Sequence, residues 1–330
     1  MAVRVGSPRY SNGMPLQERA LIKRVRRRVR AGSSVVTGIG DDCAVLRVPP
    51  GHELLVTTDF TIEKVHFRRD WHRPEVVGRR CLARGLSDIA AMGGEPRAAF
   101  LSLALASDVP QKWVDRFFTG LLSLADEFKV PLAGGDTAES AVGIQADIVV
   151  VGSVPKGKAV LRSGARPGDQ IYVTGELGGS AAAIAQLAAG RPMGPESRAH
   201  FRPKPRLAVG EWLRRKSVPS AMIDVSDGLS TDLAHICEES HVGAEIEAEA
   251  IPRSRVGQKK QEVALELALH GGEDYELLFT SSRKVPAQVA GVRVTRIGQI
   301  TRASGIRLVE AEGPMRKLAA QGWEHFRGNR

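Results

Sequence analysis

Carboxylate side chains beside glycines, or at the ends of apolar runs, are the residues of this sequence whose types could do chemistry. The six such places are Gly40-Asp41-Asp42, Thr57-Thr58-Asp59, Ser87-Asp88, Gly134-Gly135-Asp136, Asp224-Val225-Ser226-Asp227-Gly228 and Gly271-Gly272-Glu273-Asp274. Acids at strand ends and in tight turns can converge on one cleft at the edge of a sheet. Oxygen ligands without clustered His or Cys suit hard cations, and Mg²⁺ combines few carboxylates with water and phosphate oxygens. The pattern therefore favours magnesium and polyphosphate chemistry.

Each of these places, taken singly, also has a purely structural interpretation, because Asp beside Gly is a common turn or helix-cap residue. The glycine-rich loop at 175–179 likewise has two interpretations: it could present backbone amides to an anion, or it could be a close-packed turn. Other phosphate motifs are absent, since Gly157-Lys158 is followed by Ala159 and no GxGxxG, GxSxG or HExxH occurs. Any ATP would therefore be bound without a Walker loop.

The elements that must position these acids follow from hydrophobic periodicity, which predicts mixed α/β structure in both halves of the chain. Helices are predicted over residues 15–30, 75–92, 111–128 and 180–189, strands over 53–58, 100–106, 147–151 and 170–174, and a turn over 133–136. We expect the strand at 53–58 to be short and buried. A chain of 330 residues exceeds the size of a single core, and the composition shifts to Lys, Arg, Gly and Pro around 155–169. We therefore expect two domains, at 1–155 and 156–330.

Basic charge is concentrated at the N-terminus. The formal net charge is +10, and residues 1–30 contain nine basic residues and one acid. We interpret this run first as the solvated face of an amphipathic helix, and nucleic acid is not expected as a partner. The three cysteines, Cys43, Cys81 and Cys237, are too widely spaced for a disulfide framework or a CxxC site, which favours a cytoplasmic protein. The longest apolar stretch, 98–106, is shorter than the ~18 residues of a membrane helix.

Nine blocks, in order over about residues 33 to 327, resemble one enzyme family. They are GIGDDCA at 38–44, TTD at 57–59, HF at 66–67, LSDIAAMG at 86–93, GGDT at 134–137, RSG at 162–164 with PGD at 167–169, DVSDGL at 224–229, GGEDYE at 271–276 and GWEHF at 322–326. Together they resemble thiamine-monophosphate kinases, of the aminoimidazole ribonucleotide synthetase-like superfamily. The family often has Asn where this chain has Gly85 and Ser where it has His270, which could alter the substrate end of the site.

The resemblance implies a two-domain α/β fold, each domain a mixed sheet flanked by helices, an N-terminal domain that binds ATP and metal, and a homodimer. It implies phosphorylation of thiamine monophosphate by ATP with several Mg²⁺ ions. The implied metal ligands are Asp42, Thr57, Thr58, Asp59, Asp88, Asp136, Asp224 and Asp227. The implied ATP-binding residues are Gly135, Asp136, Arg162 and Ser226. The implied substrate-binding residues are His66, Glu273 and Trp323.

No general base is required by this chemistry. A phosphate monoester has a second pKa of about 6, so the acceptor is already largely a dianion at neutral pH. Transfer then depends on metal ions and positioning, and we assign no side chain as an acid or base catalyst. Without the resemblance, Trp323 would be interpreted as an anchor of the C-terminal tail and His66 as a structural histidine.

Two alternative functions remain open from the sequence. The first is another ATP-using enzyme of the superfamily with a different phosphorylated acceptor, such as a ribonucleotide cyclo-ligase. The second, of another class, is nucleic-acid binding through residues 24–30, which would weaken steeply with salt.

Overall fold

A computed structural model describes residues 18–30, 32–40, 42–191, 197–257, 260–311 and 315–323. Residues 15–17 of the predicted first helix, Asp41 and residues 324–326 of the GWEHF block lie outside this part. The helices are α1 Glu18–Arg26, α2 Pro74–Ala91, α3 Gln111–Phe128, α4 Gly179–Ala188, α5 Arg198–Phe201, α6 Leu207–Arg215, α7 Leu229–Ser240 and α8 Leu265–His270. The strands are β1 Val35–Thr37, β2 Val45–Leu46, β3 His52–Ile62, β4 Glu95–Leu105, β5 Leu132–Glu139, β6 Ile144–Pro155, β7 Gln170–Thr174, β8 Ala221–Asp224, β9 Gly243–Glu247, β10 Arg255–Val256, β11 Gln261–Glu262, β12 Leu277–Ser281, β13 Gln288–Val289, β14 Val292–Thr301, β15 Gly305–Val309 and β16 Arg316–Leu318.

Two larger sheets organise these elements, which confirms the predicted mixed α/β class. One sheet has the order β3-β6-β4-β5, with β4 and β5 parallel. The other has the order β16-β15-β9-β14-β7-β12-β8, with β13 paired to β14. In this second sheet β15 and β9 are parallel, whereas β7, β12 and β8 pair antiparallel. Along the chain, helices are interspersed among the strands that form each of the two sheets.

The chain divides into two compact units. The first contains the described residues up to Arg47 together with 58–82 and 98–149, and the second contains 48–57, 83–97 and the described residues from Val150 onward. The first unit buries one face of α3, including Phe117, Leu121 and Leu124. The second buries a continuous cluster in which Ile171 and Ile223 of the sheet pack with Leu233 and Ile236 of α7. Each unit thus has its own hydrophobic core.

The predicted short buried strand at 53–58 is wrong in length and in burial. Strand β3 runs from His52 to Ile62, and Leu54, Val56 and Phe60 on one face are each more than half exposed. The strand is the first in the order of its sheet, so it has only one neighbouring strand in the described chain. Because side chains alternate between the two faces of a strand, Leu54, Val56 and Phe60 share one face, and this face is exposed.

The predicted turn at 133–136 is also wrong, because the glycines lie within strand β5. Gly134 and Gly135 pair with Phe100 and Leu101 of β4. Gly135 has φ 147°, and a Cβ there would collide with the carbonyl oxygen of Leu101. The glycines therefore permit close approach between two strands. Asp136 continues the strand and is held in register opposite Ser102.

Basic residues in and after the first helix contact acidic and hydroxyl groups of α3. Arg24 binds the Asp115 carboxylate at 2.6 Å, Arg28 donates to Thr119 Oγ1 at 2.8 Å, and Arg30 lies 3.3 Å from Asp126. Leu21 and Val25 of α1 are buried. The basic face is thus partly used in packing. Among the described residues, no helix combines the length and apolar character needed to cross a membrane.

Candidate active site

The first unit contains a cavity of about 550 Å³ lined by several of the predicted site residues. Gly40 and Asp42 lie on one side, while Gly135 and Asp136 come from β5. The rest of the lining is largely apolar, with Leu21, Ile22, Val25, Phe100, Leu101, Leu103 and Phe118. This volume falls within the range of small-molecule sites, and such sites combine apolar walls with a few polar groups.

Asp136 has an exposed carboxylate, and its Oδ1 accepts the Thr137 amide at 2.8 Å. Cys43 is exposed and lines the same cavity. It precedes β2 in a loop rather than lying inside a strand, so neighbouring strands do not cover it.

Strand β3 places the predicted residues Thr58 and Asp59 on opposite faces, as neighbours in a strand must be. Thr58 Oγ1 donates to Oδ1 of Asp147 at 2.6 Å, and Asp147 belongs to β6, the adjacent strand. His66 follows the strand, and its Nδ1 accepts the Ile62 amide at 3.0 Å. In the neutral ring this hydrogen bond leaves the proton on Nε2.

In the second unit, two hydroxyl-to-carboxylate hydrogen bonds join four residues of three segments. Thr57 Oγ1 donates to Asp88 Oδ2, and Ser87 Oγ donates to Asp224 Oδ2 at 2.6 Å. Ser87 and Asp88 are consecutive on α2, and Asp224 ends β8. Two separate hydrogen bonds, made by the consecutive residues Ser87 and Asp88, thus connect α2 to Thr57 and to Asp224.

The loop that carries Ser226 and Asp227 is organised by a buried acid, Asp232. One oxygen of Asp232 accepts the backbone amides of Ser226, Asp227 and Gly228 at 3.1, 3.2 and 3.0 Å. Burial raises the pKa of Asp232, and the charges of Asp224 and Asp227 raise it further, while the amides of Asp227 and Gly228 oppose the shift. Asp232 lies in the first turn of α7, so this helix begins with a carboxylate that shapes the preceding loop.

The GGEDYE block places three acids in three different interactions. Glu273 forms an ion pair with Arg84. Asp274 accepts the Gly178 and Ser180 amides at 2.7 and 3.2 Å, at the beginning of α4. Glu276 is buried and binds Arg206, while its Oε2 also accepts the Thr174 hydroxyl at 2.6 Å. Within the loop at 175–179, the Gly178 amide is thus used by a carboxylate of the protein itself, and the amides of Gly175 and Leu177 donate to backbone carbonyl oxygens. These contacts favour the interpretation of the loop as a close-packed turn.

Asp274 should contribute to the pH dependence of stability. Burial raises its pKa to about 7, with Glu276 and Glu273 adding to the rise and the amides of Gly178 and Ser180 opposing it. Because the folded-state pKa exceeds the unfolded one, this contribution is fully present below pH ~4 and is lost as pH rises through 7, at up to about 1.4 kcal/mol per pH unit. Urea unfolding at pH 5, 6, 7 and 8 should show a steeper fall for the parent protein than for Asp274→Asn. Parallel curves would contradict this assignment.

Trp323 and Arg162 complete the predicted set. The Trp323 amide donates to the Asp227 carbonyl at 3.0 Å, and the indole is about half exposed, at 52%. Gly322 packs so tightly on that carbonyl that a Cβ would collide with it.

The Arg162 side chain is exposed and has no hydrogen-bond or ion-pair partner within the described ranges. His270, the departure noted in the sequence, bonds Ser230 at 2.8 Å and Glu266 at 3.2 Å.

No group of three or more His, Cys, Asp or Glu residues within the described part of the chain is arranged to hold a metal ion by itself. The predicted ligands are nevertheless all oxygen donors, and each carboxylate oxygen can accept more than one contact. This donor chemistry fits a hard cation that completes its coordination with water and phosphate oxygens.

Family models match both halves of the chain. The N-terminal domain of AIR synthase related proteins matches residues 40–154, and the C-terminal domain matches residues 166–310. A thiamine-monophosphate kinase of Salmonella typhimurium is 39% identical over 330 residues, covering 95% of this chain and 99% of the relative. The chain belongs to the thiamine-monophosphate kinase family. A Bacillus subtilis thiamine-monophosphate kinase is 34% identical, covering 94% of this chain and all of the relative.

Solved structures of thiamine-monophosphate kinases have the same fold. The enzyme of Stenotrophomonas maltophilia K279a superposes with a TM-score of 0.78 at 34% identity, over 88% of this chain and 95% of that chain. AaThiL complexed with AMPPCP and TMP superposes with a TM-score of 0.73 at 31% identity, over 85% and 89%. The hydrogenase maturation protein HypE of E. coli, at 18% identity and a TM-score of 0.73 over 94% and 98%, shares the fold alone.

The sequence pattern missed three residues that contact members of the thiamine-monophosphate kinase blocks: Arg84, Asp147 and Asp232. Two of them carried a usable signal. Arg84 lies four residues before Asp88, so the two share a face of α2. Asp232 is an acid in the first turn of a helix, where carboxylates meet orphan amides. Asp147 carried no such signal, because strand pairing across 89 residues brings it to Thr58.

Proposed function

We propose that this protein transfers the γ-phosphoryl group of ATP to thiamine monophosphate, giving ADP and thiamine diphosphate. The observation that carries the proposal is the similarity to thiamine-monophosphate kinases over nearly the whole chain. The structural neighbour AaThiL, complexed with AMPPCP and TMP, supports the same pair of ligands. The domain limits that we propose, 1–155 and 156–330, agree with the separate matches of the two family models.

The nucleotide is assigned to Gly135, Asp136, Arg162 and Ser226. The cavity beside Gly135 and Asp136 supports this assignment because its apolar walls suit a base, and Asp136 supplies a carboxylate at the same place. Arg162 can bind phosphate oxygens as a planar fork, because no described residue occupies its guanidinium.

Mg²⁺ is assigned to the oxygen donors of Asp42, Thr57, Thr58, Asp59, Asp88, Asp136, Asp224 and Asp227. When bound, such ions offset the negative charge of the phosphates and orient them. The protein residues hold these donors in place before any ligand arrives. Ser87 fixes Asp224, Asp232 fixes the Ser226–Asp227 loop, and Asp147 fixes Thr58. We infer direct in-line transfer, in which positioning replaces a general base.

The thiamine group is assigned to His66, Glu273 and Trp323. A residue that merely anchored the tail would bury its indole, whereas that of Trp323 is half exposed and its backbone is tied to the Asp227 carbonyl. An exposed indole face can stack on a heterocycle and attract a thiazolium cation. His66 uses Nδ1 on the Ile62 amide, which orients its ring.

The direct test is incubation of the protein with MgATP and a panel of phosphorylated acceptors, with ADP release and products measured. We expect thiamine diphosphate to form from thiamine monophosphate and unphosphorylated thiamine to be a poor acceptor. Turnover of a different acceptor in preference would support the alternative superfamily member. Absence of ADP release with every acceptor would reject the kinase function. The cytoplasm, which supplies MgATP, is the location we infer.

We further propose that the protein acts as a homodimer formed through the outward face of β3. Leu54, Val56 and Phe60 alternate along this strand and form an exposed apolar row, a surface suited to an identical row of a second copy. Introducing charge there, as Val56→Glu with Phe60→Glu, should convert a dimer to a monomer in sedimentation or light-scattering measurements. Val142→Glu is the matched control, because Val142 is an equally exposed but separate apolar residue. A parent protein that is monomeric at micromolar concentration would contradict the proposal.

A further inference from the structure

Arg84, a residue outside the sequence blocks, forms an ion pair with the proposed substrate residue Glu273. Its guanidinium Nη2 donates to Oε1 of Glu273. The side chain of Arg84 is 12% exposed and that of Glu273 is 23% exposed. An ion pair this far from solvent is less screened than a surface pair, and loss of one partner leaves the other inadequately solvated. The contact therefore constrains both side chains.

The backbone of Glu273 is already fixed in an unusual conformation. Its φ is 65°, in the left-handed region that residues with a Cβ seldom adopt, and its amide donates to the Ser226 carbonyl at 2.7 Å. These constraints set where the side chain begins but leave its rotatable bonds undetermined. Arg84 supplies a further constraint, because its charged hydrogen bond from Nη2 to Oε1 gives the carboxylate a defined direction.

Helix α2 presents Arg84 together with two other residues that touch the site. Ser87 and Asp88 follow Arg84 by three and four positions, which places all three on one side of the helix. Ser87 donates to Asp224 and Asp88 accepts from Thr57. The same stretch of helix thus carries contacts to proposed metal ligands and, one turn earlier, the contact to the proposed thiamine-binding carboxylate.

We propose that Arg84 is a positioning residue for substrate recognition, which aims the Glu273 carboxylate at the amino group of the aminopyrimidine ring. This inference rests on the proposed function. Arg84 offsets the negative charge of Glu273, so the carboxylate attracts cations in general less strongly. Recognition of the substrate then depends on the direction of the hydrogen bond that Glu273 accepts from the ring amino group. The pair therefore favours acceptors with a ring amino group over analogues that lack this donor.

Arg84→Met, which retains an apolar stem without the charge, tests the proposal through steady-state kinetics. The KM for thiamine monophosphate should rise about tenfold, while the KM for ATP and kcat stay within about threefold. The preference of the enzyme for thiamine monophosphate over its analogue with a hydroxyl in place of the ring amino group should fall by a similar factor. Arg84→Lys should restore the charge but only part of the preference, because it lacks the planar fork.

Arg79→Met is the control on the same helix. Arg79 is also nearly buried and binds Glu127 at 2.8 Å, and no hydrogen bond or ion pair among the described residues joins its side chain to the proposed site. The Arg79→Met variant should leave unchanged both the KM for thiamine monophosphate and the preference for this substrate over its hydroxyl analogue. Adding Arg84→Met to Glu273→Gln should raise KM no further, since Arg84 acts through Glu273.

Three results would overturn the role of Arg84: an unchanged or lowered KM for thiamine monophosphate, an equal rise in both substrates' KM, or full additivity with Glu273→Gln. If Arg84→Met does not fold, the comparison of Arg84→Lys with the parent decides, and an unchanged preference then rejects the proposal. A parent protein that neither binds nor phosphorylates thiamine monophosphate would reject the proposed function and this inference together. Turnover by the parent with no effect in the variants would reject this inference alone.

Discussion

Asp136→Asn lowers kcat by about 100-fold or more and leaves the fold intact. The carboxylate stands at the edge of the cavity in the first unit and is exposed, so its loss removes charge from the site without disturbing a core. Removal of one group that stabilises developing charge commonly costs 10²- to 10³-fold in rate. Asn retains the Oδ1 that accepts the Thr137 amide, so the strand keeps its local hydrogen bond. ADP release under saturating thiamine monophosphate and MgATP measures the effect.

Asp70→Asn is the matched control for this substitution. Asp70 is an exposed acid of the same unit, paired with Arg68 at 2.8 Å on the surface. It should preserve kcat within about twofold, since surface ion pairs contribute little. The metal role assigned to Asp136 would be wrong if its Asn variant kept a kcat within threefold of the parent, or if higher Mg²⁺ concentration had no effect on a reduced rate.

Arg206→Met should lower the free energy of unfolding by about 3–5 kcal/mol, because it strands a buried carboxylate. Glu276 is 5% exposed and receives two hydrogen bonds from Arg206. Burial lowers the pKa of Arg206, but the hydrogen bond and charge of Glu276 outweigh this and raise it overall. The guanidinium of Arg206 therefore stays charged throughout the physiological range. Urea unfolding at pH 7.5 measures the loss.

The companion variant removes both charges. Arg206→Met with Glu276→Leu no longer leaves an uncompensated carboxylate, so it should be more stable than Arg206→Met alone even though two residues differ. Arg215→Met is the surface control, as Arg215 is exposed and pairs with Glu211 at 3.5 Å within one helix. A loss below 1 kcal/mol for Arg206→Met would show that Glu276 is solvated after Arg206 is removed.

The four helices with predicted bounds correspond to α1, α2, α3 and α4, although α1 ends at Arg26 and not at residue 30. The helix at 111–128 has the bounds of α3, and the strand at 170–174 has those of β7. Both segments are governed by burial of a periodic set of side chains, which the sequence records directly. The mixed α/β class follows from the order of such segments, and the comparisons confirm it.

The errors arose where pairing between distant segments decides structure. Gly134-Gly135-Asp136 is typical of a turn, but its backbone is extended by the parallel pairing with β4. Strand β3 contains the apolar residues of a buried strand, but one of its faces is exposed, and such exposure depends on tertiary packing that the local sequence does not record. For the same reason the acids of the sequence blocks could be found from the sequence, whereas the Arg84–Glu273 contact, across 189 residues, could not.

The acids of the GGEDYE block contact residues that are far away in the sequence, and this separation has a consequence for folding kinetics. Asp274 binds amides about 95 residues earlier, and Glu276 binds Arg206 across 70 residues. Closing such long loops costs entropy before any of the contacts is gained, so these interactions form late. We therefore expect the segment that carries Glu273 to order among the final steps of folding. Weakening these contacts would then act mainly on the rate of unfolding.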